Sequence, residues 1–401
     1  MRKITQLMLK TVAGILLAAV FAILATSVSP VYRFSEPKPF AGPDIFNPYQ
    51  ALGEDSVLVW KRANFHTHTK VKGLLNECDF TPAETYAELA KYGTEIVTFS
   101  NHNELTTHPF DPALQVNVYE HGYNLYKYHK LVFGCDKVCR FDNILPLFAF
   151  QKQFQLDLLG RGCDFIQMNH PFRTGGTSES QMKHLSGYRI MELDSGVTTE
   201  QEYWDWALSA GHYSFGLAND DLHYPDRSWK IAVRCNFLHT PSGRYEDLRR
   251  TLLRGDYYSM RVPDYGSGNW DEKIARNATV PHVDTIGLHA GDSIFVRLSQ
   301  VADSIKVTGQ GHKTLLLKTQ TDKAGYKMLP GDTYARFTAY FPTGEVIYSN
   351  PFARYDSSAM ESPYENAAHP VDWPLTILFN LAALALCCIV VFAAVRLFKA
   401  R

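Results

Sequence analysis

The chain has 401 residues, 40 of them Lys or Arg against 41 Asp or Glu, and 45% are hydrophobic. Near-neutral charge excludes the general basic track of a protein that follows a nucleic-acid polymer. The length allows two folded domains, and the composition is that of a globular protein with membrane segments added.

Residues 12 to 28 form an uncharged apolar segment behind Arg2, Lys3 and Lys10, which fits either a signal peptide or a short spanning helix within residues 1–30. Residues 31–55 carry Pro37, Pro39, Pro43 and Pro48 and predict an extended linker. Ser56 to Trp60 predicts a first strand that runs into Asn64-Phe65-His66-Thr67-His68-Thr69. Residues two apart on a strand share a face, so His66 and His68 present two imidazoles side by side. Thr81 to Glu84 is a capping box with Pro82 at the first helical position, and Gly93 stops that helix. Glu95 to Phe99 predicts the strand that delivers His102, and a strand-helix-strand unit implies parallel pairing.

Further strands are predicted at Val116–Tyr119, His129–Phe133, Asp164–Met168, Tyr188–Leu193 and Phe215–Ala218. Helices are predicted at Phe148–Leu159, Thr198–Ala210 and Tyr245–Arg254, an alternation that implies an α/β barrel or a doubly wound sheet. From Asp284 the pattern changes to short alternating strands, Ser293–Leu298, Ser304–Thr308, Lys313–Lys318, Thr333–Phe341 and Glu345–Ser349, which predict a small β-sandwich over residues 280–355. Residues 356–373 form a polar second linker. Leu375 to Val395 is a 21-residue stretch without a charge, with Trp373 at one edge and Arg396, Lys399 and Arg401 beyond the other, and predicts a transmembrane helix within 374–396. The positive-inside rule places both termini in the cytoplasm and the intervening domain in the periplasm or outside the cell. Cys135 and Cys139 are spaced either for a small-loop disulfide or as two free thiols. Asn277-Ala278-Thr279 has the form of a glycosylation sequon.

Chemistry-bearing residues recur at the strand ends: His66 and His68, then Ser100-Asn101-His102-Asn103, Glu120, His129, Asn169-His170-Pro171 and Asp221-Leu222-His223. Taken singly each has an ordinary structural role, a satisfied core histidine or a loop carboxylate. As a set, six histidines with one Glu and one Asp suit zinc, manganese or iron. Glu120 as a bridging carboxylate would hold two ions roughly 3.5–4 Å apart, and a metal-bound hydroxide is then available near neutral pH.

This order of motifs resembles the PHP (polymerase and histidinol phosphatase) superfamily of metal-dependent phosphoesterases over about Ser56 to Met260. The resemblance implies a distorted seven-stranded (β/α) barrel over residues 56–262, with His66, His68, His102, Glu120, His129, His170, Asp221 and His223 as metal ligands. Of these, His66, His68, Glu120, Asp221 and His223 would carry the catalysis. Two departures from the family pattern stand out. Ser100-Asn101-His102 replaces Thr-Asp-His, and Leu74 and Leu75 occupy the place of a usual Asp or His. Two divalent ions are therefore expected, with a third only if Glu77 or Asp79 substitutes. Arg173 is the leading candidate for holding substrate phosphate because a guanidinium binds two oxygens at once, and Lys70 is second. The expected function is a membrane-tethered phosphoesterase acting on a small monoester or nucleotide outside the cytoplasm, with lipid contacted through its transmembrane helices. The alternatives are a phosphodiesterase or exonuclease, and a non-catalytic metal-stabilised binding module. Substrate choice would lie in loops such as Thr106–Ala113 and Tyr224–Lys230, which carry no motif.

Overall fold

Residues 2–52, 59–73, 76–195, 198–199, 201–265, 268–364 and 368–399 are described by a computed structural model of the protein. The chain opens with helix α1 (Arg2–Thr26), then β1 (Asp44–Phe46), β2 (Lys61–Asn64), α2 (Pro82–Ala90), β3 (Thr94–Val97), β4 (Val118–His121) and β5 (Lys130–Phe133). It continues through α3 (Ala149–Gly160), β6 (Phe165–Met168), α4 (Glu179–Met182), β7 (Ile190–Ser195), β8 (Thr198–Thr199), α5 (Gln201–Ser209), β9 (Phe215–Asn219), β10 (Arg234–Leu238), α6 (Tyr245–Arg254), β11 (Tyr257–Arg261) and α7 (Trp270–Asn277). The last part holds β12 (Val283–His289), β13 (Ser293–Gly309), β14 (Lys313–Lys327), β15 (Tyr334–Tyr340), β16 (Val346–Ser349), β17 (Phe352–Tyr355) and α8 (Trp373–Lys399).

The local signals act as their chemistry requires. Thr81 caps α2, its backbone N–H donating to Glu84 Oε2 at 2.8 Å while its Oγ1 accepts from the Glu84 N–H at 3.3 Å. Gly255 ends α6 in the left-handed region at φ +95°, and a Cβ there would stand 2.5 Å from the Phe215 ring. β2 differs from the expected Ser56–Trp60. Residues 56–58 lie outside the described residues, and the strand occupies the polar run that follows. Its hydrophobic pattern is broken because Arg62 is buried with partners, donating to Tyr92 O at 2.9 Å and Asn277 Oδ1 at 2.7 Å. The same bond occupies the side chain of Asn277, the sequon asparagine, in the interior.

β2 and β3 are parallel, β4–β5 and β5–β6 antiparallel, and β6–β7 and β7–β9 parallel. Two isolated parallel bridges join the edges of these groups, His102 to Glu120 and Thr67 to Leu222. Followed through these bridges, β2, β3, β4, β5, β6, β7 and β9 succeed one another around a circuit that returns to β2. One large buried cluster, including Phe65, Leu131, Phe133, Met168, Leu193 and Trp204, fills this part of the molecule.

The C-terminal strands are hydrogen-bonded into the same sheet as β2 and β3. The order β1-β17-β15-β16-β11-β10-β2-β3 is continuous, with β12, β13 and β14 attached through β15. A second core, with Tyr258, Ile294, Ile305, Phe337 and Phe352, lies there. β13 runs through both segments expected as separate strands, absorbing the polar stretch between them by a register shift between Arg297 and Ala302. The segment expected as an extended linker also enters this sheet, since β1 pairs with β17.

α1 and α8 are each long and apolar enough to cross a membrane, with mean hydropathy of 2.4 and 2.7 over their most apolar stretches. They lie antiparallel. Ser29 N–H donates to Asn380 Oδ1 near the exit of α1, whereas Gly14 sits against the Phe398 ring near the far end of α8. Arg33 and Asp372 pair at 2.8 Å, and Tyr32 bridges Val371. Cys135 and Cys139 are free thiols.

Candidate metal centre

His66 and His68 lie just beyond β2, on a stretch clamped from two sides. His68 N–H donates to Leu222 O at 2.8 Å, and Leu222 N–H to His66 O at 3.2 Å. On the other side Thr69 N–H donates to Asn101 Oδ1 at 2.7 Å, while Asn101 Nδ2 donates to Thr69 Oγ1 at 2.8 Å and Thr106 Oγ1 at 2.6 Å. Asn101, the departure from the Asp pattern, thus has a concrete role: its amide both accepts and donates, and a carboxylate does only the first.

Glu120, in β4 and 1% exposed, is the hub. Its Oε2 lies 3.3 Å from His66 Nε2, 3.2 Å from His68 Nε2 and 3.2 Å from His102 Nε2. Its Oε1 lies 3.1 Å from His129 Nδ1 and 3.2 Å from His170 Nε2, and accepts from Asn169 Nδ2 at 2.9 Å. Asp221 Oδ1 stands 3.1 Å from His66 Nε2 and 3.4 Å from His68 Nε2. All eight residues named by the resemblance are therefore drawn to one place. His223 reaches it less directly, with Nδ1 3.7 Å from Asp221 Oδ1 and Nε2 3.1 Å from Glu77 Oε2.

Glu77 extends the cluster, its Oε2 lying 3.0 Å from His102 Nε2. Asp79 is exposed and stands outside the candidate ligand groups, and Leu74 and Leu75 lie outside the described residues. Among the described residues, three groups of side chains come close enough to share an ion: His66, His68, Glu120 and Asp221; His68, Glu77 and His102; and His102, Glu120 and His129.

The donor set fits divalent cations on two grounds. Two ligand atoms each about 2.1 Å from one tetrahedral ion stand about 3.4 Å apart, close to the spacing between the imidazole nitrogens and carboxylate oxygens here. Several buried polar atoms also make no hydrogen bond, among them His66 Nε2, His68 Nε2, His170 Nδ1 and Asp221 Oδ1. Orphaned buried groups cost free energy unless something else satisfies them, and a cation would do so at the carboxylates and the facing nitrogens. Strained backbone accompanies them, with φ +24° at His170 and φ +48° at Asp221, a region that non-glycine residues seldom adopt.

Electrostatics divides the candidate ligands. Burial pushes the His129 imidazole down to about 4, and burial together with the neighbouring His223 lowers His68, so both keep a lone pair to share. Burial also opposes charge on His66, but Asp221, Glu120 and Glu192 outweigh it and hold His66 well above its ordinary value. Against the same burial, the surrounding imidazoles hold Glu120 and Asp221 well below the usual carboxylate range.

Glu192 was not legible in the sequence. Fully buried in β7, it lies 2.9 Å from His66 Nδ1 and accepts from the His170 N–H at 3.0 Å. A carboxylate on Nδ1 turns Nε2 toward the cluster and fixes the ring. Its only sequence signal is an acid in the otherwise apolar run Ile-Met-Glu-Leu.

The cluster opens into a cleft of about 690 Å³ whose lining includes Tyr123, Asn124, Lys127, Arg173, Tyr224 and Lys230. Arg173 Nη2 lies 2.8 Å from Asp221 Oδ2. Lys70 is on the surface and absent from the described lining; Lys127 and Lys230, which no motif marked, are the ammonium groups that reach the cleft.

The chain matches no protein-family model and no curated protein. Among solved structures it is similar to a two-domain protein from Bacteroides vulgatus containing a predicted PHP-like metal-dependent phosphoesterase, with 14% identity and a TM-score of 0.37 over 80% of this chain and 99% of that one.

Proposed function

We propose that the protein is a metal-dependent phosphoesterase, with residues 56–262 as a distorted (β/α) barrel and residues 280–355 as an accessory β-rich unit. The observation that carries this reading is the placement of Glu120, one oxygen facing His66, His68 and His102 and the other facing His129 and His170. Glu120 would bridge two divalent ions, His66, His68 and Asp221 would complete one site, and His102, His129 and His170 would serve the other, with Glu77 and His223 available to a third. Zinc, manganese or iron bound there supplies Lewis acidity and a water of lowered pKa. Supporting this reading, the residues concerned lie on loops and strand ends, where an α/β barrel gathers its chemistry.

The chain's own residues do the positioning. Glu192 holds the His66 ring so that Nε2 faces the cluster. Arg173 has guanidinium N–H groups beyond the one spent on Asp221, enough to grip two oxygens of a phosphate, and Lys127 and Lys230 offset its remaining charge. Domain placement follows the two helices: their antiparallel pairing brings Arg2, Lys3 and Lys10 to the end that carries Arg396 and Lys399, so both termini would be cytoplasmic and the cleft periplasmic or extracellular.

The test is hydrolysis of an aryl phosphate monoester, and separately of a diester, by the full chain in detergent loaded with manganese, zinc or iron. Expected is metal-dependent release of phosphate from the monoester, lost together with bound metal in His66→Ala/His68→Ala and in Asp221→Ala. Stoichiometric metal without turnover of either ester would overturn the activity, and absence of bound metal would overturn the site.

A further inference from the structure

We infer that the substrate is a phosphate monoester carried by a membrane lipid, drawn into the cleft directly from the bilayer. This rests on the phosphoesterase reading above and adds the source of the phosphate.

The cleft loop is bolted to the membrane end of the molecule. Residues Gly122, Tyr123, Asn124 and Lys127 line the cleft, and the same loop is tied to the segment Asp142-Asn143-Ile144. Buried Asp142 accepts from Tyr123 N–H at 2.8 Å and from Asn124 Nδ2 at 3.0 Å, and Leu125 N–H donates to Ile144 O at 2.9 Å. That segment in turn grips the exit of α1. Ile144 N–H donates to Thr26 Oγ1 at 3.2 Å, Asn143 Nδ2 donates to Thr26 O, and Gln151 Nε2 donates to Ser27 O at 3.1 Å. Two residues of backbone therefore separate the cleft lining from the last turn of a membrane-length helix.

The depth of that contact is set by α8. Phe150 and Phe148 meet the ring of Phe379 edge-on, with centroids 5.1 and 6.2 Å apart. Phe379 is six residues into a helix that starts at Trp373, about 9 Å along its axis at 1.5 Å per residue. A Trp at the start of an apolar span belongs at the headgroup level, so Phe379 and its partners reach the edge of the hydrocarbon. Apolar side chains are exposed on both segments of this tie: Leu125, next to the lining residue Asn124 and bonded to Ile144, is 63% exposed, and Phe148 is 47% exposed, with Leu147 similar. Exposed apolar side chains on two tied segments, one of which lines a polar, cationic cleft, suit a ligand with a charged head and an apolar body, and the apolar helices say which apolar phase lies there.

In the reaction, the oxygen of water forms the new bond to phosphorus and the bond from phosphorus to the lipid oxygen breaks. The lipid oxygen takes up a proton, so the products are a neutral lipid alcohol that stays in the bilayer and inorganic phosphate that leaves through the cleft.

The test uses the full chain, metal-loaded, in phosphatidylcholine vesicles containing phosphatidic acid, with glycerol 3-phosphate and an aryl phosphate as soluble counterparts. Expected is kcat/KM for phosphatidic acid at least about tenfold above that for glycerol 3-phosphate. Leu125→Asp and Phe148→Asp should each lower it about tenfold or more, the factor that loss of burial of one such side chain gives, while aryl phosphate hydrolysis is unchanged. Brominated lipids should also quench Leu125→Trp and Phe148→Trp beyond the wild-type level. Equal use of phosphatidic acid and glycerol 3-phosphate, or unaltered lipid turnover in both Asp variants, would overturn the lipid substrate and leave the phosphoesterase standing. Hydrolysis of none of the three esters would overturn the phosphoesterase reading, and this inference with it.

Discussion

Two sets of buried charge in this protein are built on opposite plans. Asp194 and Asp205 are closed. Arg234 Nε and Arg261 Nε donate to the two oxygens of Asp194 at 2.8 and 2.7 Å, with Tyr348 OH donating at 2.9 Å. Arg336, itself fully buried, grips Asp205 through Nε at 2.9 Å and Nη2 at 2.6 Å, joined by Tyr334 OH at 3.0 Å. Each of these carboxylates meets planar donors and hydroxyls whose geometry satisfies both oxygens. Glu120 and Asp221 instead face imidazole nitrogens at 3.1–3.4 Å, and Asp221 meets a single guanidinium, Arg173 on Oδ2, while its Oδ1 completes no hydrogen bond. Charges that hold a fold together are given full sets of donors; those of the candidate metal centre are left with room for a cation.

That contrast can be broken most forcefully at Asp221. Asp221→Asn should abolish turnover, exceeding the roughly 10–100-fold cost of removing an outer partner of a metal ligand, while the urea midpoint of metal-free protein falls only modestly, because the guanidinium it leaves unpaired, Arg173, is part-exposed. Arg336→Met should do the reverse. It strands Asp205 in the interior and should cost about 3–5 kcal/mol in urea unfolding, with kcat/KM of the surviving folded enzyme unaltered. Glu192→Gln falls between the two classes: the amide still reaches His66 Nδ1 but no longer carries charge, so metal affinity by titration should drop roughly 10–100-fold with little loss of stability. The smallest effect is in pH. Burial opposes the charge on Asp205, but Arg336 and His312 outweigh it and hold the carboxyl below its ordinary value. A depressed carboxylate contributes stability above its unfolded pKa of about 3.9 and loses it as pH falls through the lower folded value. The gap in urea midpoint between wild type and Asp205→Asn should therefore be full at pH 7 and shrink below about pH 4.

How legible each plan was follows from its chemistry. The candidate ligands are legible because His, Glu and Asp recur in order at the ends of apolar runs, and the pairing of β2 with β3 in parallel follows from the capped helix between them. Glu192 escaped notice because a carboxylate inside an apolar strand shows its role only when its partner, 126 positions away on another strand end, is brought to it. Arg62 hides β2 in the same way: a buried Arg with distant partners breaks the alternation that marks a strand. β13 looked like two strands because Ser299 to Asp303 is polar, and a register shift, which carries no composition of its own, lets the chain run straight through. The closed pairs Asp205–Arg336 and Asp194–Arg261 join elements far apart in sequence, and nothing local announces them.

The clasp between the two ends of the extramembrane part has a mechanical consequence. Because Tyr32 bridges Val371, Arg33 pairs with Asp372 and β1 lies against β17, the proline-containing entry and the polar exit are not slack cords. With α1 and α8 in a bilayer, as proposed, the folded unit would ride as a turret on a two-helix mast. Its encounters with anything embedded there would become a search over a surface instead of a volume, and a few flexible residues inserted on either side of the clasp would return it to the bulk.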